Sequence, residues 1–170
     1  MPGSGPYELY LVRHGLAEER GELWPDDAKR PLTAEGMSQM RKAARGLARL
    51  GLGLDVVLTS PLVRARQTAE ILASALEPRP SLVTIDSLAP EAAYTALVAD
   101  MEKHARKTRI ALVGHEPGIG ELAARLVGSR HSIEFKKGAV CRVDVDDLPP
   151  SGPGALRWLL TPKILRAIHK

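Results

Sequence analysis

Two histidines and two arginines are the residues of this sequence best suited to chemistry. His14 lies in Leu11-Val12-Arg13-His14-Gly15, and His115 lies in Val113-Gly114-His115-Glu116-Pro117-Gly118. Arg64 follows Leu58-Thr59-Ser60-Pro61. Arginine offers a planar, permanently charged fork that matches phosphate oxygens. A neutral imidazole can attack phosphorus and form a covalent phosphohistidine, which splits one hard step into two easier ones. Phosphoryl transfer spreads negative charge over the equatorial oxygens, so fixed cations around that plane supply most of the catalysis. The glycines beside His14 and His115 would let a ligand approach the backbone. Helix starts near Ser60-Pro61 and Glu116-Pro117 would add positive dipole ends facing an anion.

Each residue also has a plainer reading. His14 would bond a backbone carbonyl at a strand end, and Arg13 would pair with a surface carboxylate. Arg64 and Arg66 would both be exposed on a helix, and His115 would cap the helix after it. Histidine is a common metal ligand. No HxxxH or CxxC spacing is present, however, and adjacent arginines would repel a cation. The expectation is therefore no metal and no cofactor.

The elements that must position these residues follow from periodicity and punctuation. Residues 7–12 are a short apolar run, read as a buried strand that delivers Arg13 and His14 to a loop. Residues 16–33 are a long polar excursion, of the kind that carries function in compact domains. Thr33 is a good N-cap for a helix over 34–50, with Met37, Met40, Ala44 and Leu47 at helical spacing. Gly51 and Gly53 stop it. Further strands are expected at 55–59, 82–85 and 109–113. Helices are expected at 60–76, with Pro61 in the first helical position, at 90–107 and at 117–127. Residues 138–145 and 155–160 read as a hairpin across a Pro/Gly/Asp-rich turn, and 161–169 as a closing helix. This order implies a single three-layer α/β/α domain over residues 1–170, with 1–6 a flexible lead-in. Its central sheet is mainly parallel, with an antiparallel C-terminal hairpin. In such a sheet ligands bind beyond the carboxyl ends of the strands, and all three clusters lie at that edge.

Bulk properties narrow the function classes. The chain has 170 residues, enough for one domain with a proper core. Aromatic residues make up only 4 %, so the core must be mostly Leu, Val, Ala and Ile. Twenty-four Lys and Arg against 20 Asp and Glu leave a net charge of +4, which favours anionic ligands. No long basic run with interleaved aromatics is present, so no nucleic-acid partner is expected. The lone Cys141 sits in an apolar stretch, reads as a core residue and excludes an intrachain disulfide. No secretory signal and no membrane-length apolar run are seen, so the expected location is cytoplasmic, without a membrane partner. Neither GxGxxG nor GxxxxGK[ST] occurs, which argues against a nucleotide-binding α/β domain.

Taken in order, the clusters resemble three blocks of the histidine phosphatase (phosphoglycerate mutase-like) superfamily. Arg13-His14-Gly15 resembles the first. Ser60-Pro61-Leu62-Val63-Arg64-Ala65-Arg66-Gln67-Thr68-Ala69 is similar to the second, and Val113 to Gly118 to the third. Arg30-Pro31-Leu32-Thr33-Ala34-Glu35-Gly36 resembles the segment between. The compact chain is closest to the SixA-type phosphohistidine phosphatases, because the mutases and bisphosphatases carry larger insertions over the site. Phe135-Lys136-Lys137-Gly138-Ala139 and Trp158-Leu159-Leu160-Thr161-Pro162-Lys163 fit that branch.

The resemblance implies that His14 is the phosphorylated nucleophile. Arg13 and Arg64 would hold phosphoryl oxygens, and His115 would bind one and stabilise the transition state. Arg66 is off the matched position and is assigned to the surface. Glu91 is the positional candidate for the general acid and Glu18 its rival. The plain reading of both is an exposed carboxylate, with Glu91 favouring the start of its helix. Phosphohistidine expels an imidazole and depends less on a donor than an alkyl ester does. The expected activity is dephosphorylation of phosphohistidine in a protein partner. The alternatives are a phosphomonoesterase for a sugar phosphate or nucleotide, and a module that binds phosphate or phosphoprotein without turnover. Oligomeric state is open.

Overall fold

The computed structural model describes residues 6–169. The expected lead-in falls, Pro6 apart, outside the described residues. Strand β1 (Tyr7–Arg13) is apolar along almost its whole length. The reason is that both of its faces are covered: Leu9 and Leu11 enter one core, Tyr10 and Val12 another. Strands β2 (Val56–Thr59) and β4 (Arg109–Gly114) are buried in the same way, whereas β3 (Ser81–Thr84) is half-exposed at the sheet edge. The sheet order is β3-β2-β4-β1-β5-β6, with β5 at Val140–Val145 and β6 at Ala155–Leu160. The first four strands are parallel, and β5 and β6 are antiparallel to their neighbours, as the hairpin pattern implies.

Helices α1 (Ala34–Arg49), α2 (Val63–Ser74) and α5 (Pro162–Ile168) bury Ala43, Leu47, Ala69, Leu72 and Leu165 against the Tyr10 face. Helices α3 (Tyr94–Glu102) and α4 (Gly118–Val127) bury Leu97, Met101, Leu122 and Leu126 against the Leu9 face. The result is the expected three-layer α/β domain. Among the described residues no helix is long and apolar enough to cross a membrane.

Local chemistry sets the helix ends. The Thr33 hydroxyl accepts from Gly36 N at 2.8 Å and starts α1. Gly51, just past its last turn, adopts φ +82°, the left-handed conformation that ends helices. Two starts differ from expectation. Helix α2 begins at Val63 rather than at Ser60-Pro61, because the Ser60 hydroxyl takes Leu62 N at 3.2 Å and holds Pro61 and Leu62 in a bend, with Leu62 itself extended. Helix α3 spans Tyr94–Glu102 rather than 90–107. Glu91 is left-handed (φ +67°) and residues 91–93 are exposed, so no packing draws them into a helix.

The topology places the site. Strands β1 and β4 are neighbours, with Arg13 opposite Gly114. The chain leaves β1 towards α1 on one face and leaves β4 towards α4 on the other. A crevice opens where such connections part. His14 and His115 are the first residues beyond these two strands.

Candidate active site

The backbone of His14 is fastened to β4 by its N–H, which donates to Gly114 O at 3.0 Å. Its ring Nδ1 lies 2.7 Å from Gly15 O. A carbonyl only accepts, so Nδ1 carries the proton and Nε2 keeps its lone pair. Gly15 N donates to Thr68 Oγ1 at 3.1 Å, and that hydroxyl donates to Arg64 O at 2.8 Å. Thr68 thus ties the turn after β1 to α2. Gly15 is also favoured by packing, because an added Cβ would lie 2.7 Å from Met40 Cγ.

The rings of His14 and His115 are 5.1 Å apart, centroid to centroid, and tilted by 56°. Both are buried. His115 Nε2 lies 2.7 Å from the Ser60 hydroxyl. Arg13 Nη1 donates to Phe135 O at 2.7 Å, across to the segment before β5. Arg64 is only 2 % exposed, and its two Nη atoms donate to Asp27 O at 2.8 Å and Asp27 Oδ2 at 3.0 Å. Asp27 comes from the polar excursion, whose base is closed by a bridge between Ala17 and Leu32. It also accepts from Arg30 Nε at 2.9 Å.

Among the described residues, three buried side-chain polar atoms have no hydrogen-bond partner: Arg13 Nε, Arg64 Nε and His115 Nδ1. All three belong to residues expected to grip phosphate. Buried polar atoms left unsatisfied are costly and rare, so their gathering beside His14 makes this the candidate place for an anion.

Electrostatics keep both imidazoles neutral. Burial lowers the His14 pKa to about 3; the Gly15 carbonyl opposes this, while His115, Arg64 and Arg13 add to it. Burial, then Arg64, lowers His115 to about 4. Burial pulls the Asp27 carboxyl upward, but hydrogen bonds from Arg30 and Arg64 outweigh it and hold the carboxyl below the usual range. Asp27 is therefore ionised at neutral pH and serves as a counter-charge.

A cavity of about 470 Å³ adjoins His115, with Arg20, Ser87, Glu91, Tyr94 and Arg125 in its walls. The guanidinium of Arg125 stacks 4.3 Å from the Tyr94 ring centroid. Glu91 is exposed and precedes α3, so it does not sit in that helix's first turn as the plain reading supposed. It is the non-glycine residue with positive φ among the described residues. Glu18 contributes its backbone carbonyl to Arg30 Nη1 at 2.7 Å. Arg66 is exposed, away from the site. Among the described residues no group of three or more His, Cys, Asp or Glu is placed to hold a metal ion.

The structure brings Arg13, His14, Arg64 and His115 together and puts Glu91 in the adjoining wall. The helix starts are used differently from expectation. Gly120 N, in the first turn of α4, is taken by the Glu116 carboxylate at 2.7 Å, and Leu62 N is taken by Ser60. Asp27, Ser60 and the Phe135 carbonyl were not anticipated as site residues. Only Ser60 carried a signal, as the first residue after β2.

A protein-family model described as histidine phosphatase superfamily (branch 1) matches residues 9–89. An uncharacterized protein of Picosynechococcus sp. is 41 % identical over 78 % of this chain and 82 % of its own length. The phosphohistidine phosphatase SixA of Escherichia coli is 27 % identical over 95 % of this chain and 99 % of its own. A structure of the protein histidine phosphatase SixA complexed with tungstate superposes with a TM-score of 0.82 at 27 % identity, covering 93 % of this chain and 99 % of that one.

Proposed function

The chain belongs to the histidine phosphatase superfamily and is a phosphatase, and from that premise we propose that it dephosphorylates phosphohistidine in a protein, with His14 as the nucleophile. The observation that carries this reading is the set of three unsatisfied buried nitrogens, Arg13 Nε, Arg64 Nε and His115 Nδ1, around an imidazole whose Nε2 is free to attack. The tungstate held by the SixA relative is an oxyanion of the kind such donors bind.

In the first step His14 Nε2 attacks phosphorus in line. The substrate phosphohistidine reacts in the form already protonated by solvent on its other ring nitrogen, so that a new N–P bond forms as the substrate's own P–N bond breaks and a neutral imidazole leaves with that proton. Arg13, Arg64 and His115 take up charge on the equatorial oxygens. In the second step water attacks phospho-His14, releasing phosphate and restoring the neutral ring. An imidazole leaving group asks little of a general acid. Among the described residues no carboxylate is hydrogen-bonded to either histidine, which supports this substrate.

The walled cavity and the left-handed Glu91 favour a second reading, a small phosphomonoester whose leaving group lies against His115 and takes its proton from Glu91. Backbone strain concentrates at functional positions, and an alkoxide leaving group needs a donor.

The deciding experiment compares turnover of a phosphohistidine-bearing protein with that of a panel of small phosphate monoesters, with His14→Ala as control and a chelator present. Faster loss of phosphohistidine, abolished in the variant and indifferent to chelator, is expected. Preference for one monoester would move the substrate and keep the nucleophile. Turnover surviving His14→Ala would remove the scheme. No turnover with retained phosphate binding would make the chain a binding module.

A further inference from the structure

The Ser60 hydroxyl has one proton to give, and its surroundings determine where that proton goes. Ser60 is fully buried; Leu62 N donates to its oxygen at 3.2 Å, and His115 Nε2 lies 2.7 Å from that oxygen. Among the described residues no other acceptor is hydrogen-bonded to this hydroxyl. If His115 Nε2 carried the ring proton, the oxygen would receive two donors and its own proton would be stranded in the interior, at a cost. His115 Nδ1 would then be a bare lone pair, facing the oxygens that Arg13 and Arg64 attract. If Ser60 donates to Nε2, every group is satisfied. The ring proton moves to Nδ1, the buried atom that has no protein partner.

We infer that Ser60 is a positioning residue that fixes His115 in its Nδ1-protonated tautomer, so that a neutral imidazole presents a donor to the phosphoryl group. The inference rests on the phosphatase reading for its consequence, but not for its geometry. Ser60 acts through His115 and touches no reacting atom. It stands at the end of β2, where its N–H donates to Val113 O at 3.0 Å, so two adjacent strand ends hold the pair in register. A neutral His115 at rest accords with the burial that lowers its pKa to about 4.

The test is long-range nitrogen–proton correlation NMR on protein labelled with ¹⁵N at histidine, without substrate. The expected spectrum shows His115 protonated at Nδ1 and bare at Nε2. In Ser60→Ala the tautomer balance shifts, and kcat falls roughly 10- to 100-fold with a smaller change in KM, less than deletion of an oxyanion donor costs. Ser60→Thr, which keeps the hydroxyl, restores the tautomer and most of kcat. Wild-type His115 protonated at Nε2 would overturn the inference, as would Ser60→Ala with unchanged tautomer and rate. If Ser60→Ala fails to fold, the wild-type spectrum decides alone. A wild-type protein with the expected tautomer but no turnover would remove the functional reading and leave this one standing.

Discussion

At the scale of single residues, the site is defined by which atoms are left free. His14 Nδ1 is spent on Gly15 O, which leaves Nε2 with a free lone pair, the atom that the proposed scheme uses for attack. Both histidines are held neutral by burial, and this has a consequence for stability. Their folded pKa values, about 3 and about 4, lie below the ordinary 6.5. As pH falls below 6.5 the unfolded chain takes up protons that the folded one refuses, so stability declines towards pH 3 to 4. Denaturant unfolding across this range is expected to show the loss, and His14→Asn should reduce it. A flat profile in the wild type would mean that the rings are open to solvent. Glu91 permits a separate test. Left-handed conformations cost about 1 kcal/mol or more in residues other than glycine, so Glu91→Gly should raise stability by about that amount. Glu91→Gln keeps the strain and removes the acid. It should slow monoester hydrolysis and spare phosphohistidine turnover; equal slowing of both would make Glu91 a general donor.

At the scale of elements, close backbone packing holds the loops that carry the site. A Cβ on Gly36, in the first turn of α1, would lie 2.1 Å from Leu16 O. That oxygen already accepts from Thr33 N at 3.1 Å, so the turn after His14 and the start of α1 are one unit. Gly36→Ala is expected to cost about 2 to 3 kcal/mol, as overpacking against backbone does, and to lower kcat by displacing His14. A thermal unfolding curve and a rate at one saturating substrate concentration check both halves. The two helix starts placed wrongly from sequence share a cause. Pro61 and Pro90 are good helix openers by local rule. The Ser60 hydroxyl and the left-handed turn at Glu91, however, turn the chain away from helix, and each helix starts only after an extended residue, Leu62 or Ala93.

At the scale of the whole molecule, the proposed anion site joins segments distant in the chain: β1, the polar excursion, α2, β4 and the segment before β5. An oxyanion that satisfies their free donors therefore ties these segments together. Phosphate or tungstate at 100 times its Kd should stabilise the fold by about 2.7 kcal/mol, a rise in Tm of roughly 5 to 10 °C for a chain of this size. Calorimetry on the wild type and on Arg64→Ala checks this; an equal rise in both would place the anion elsewhere. The sequence by itself determined the α/β alternation, the C-terminal hairpin and the polar clusters holding Arg13, His14 and His115. Each of these rests on local pattern: apolar period, turn residues, and polar residues directly after apolar runs; Arg64 was singled out from Arg66 by the family resemblance. Only the tertiary structure decided that Asp27 holds Arg64, that Phe135 O orients Arg13, and that Ser60 faces His115. These partners lie 37, 122 and 55 residues apart. Hydrogen bonds across such separations depend on how the sheet brings strand ends together, and no local spacing encodes that.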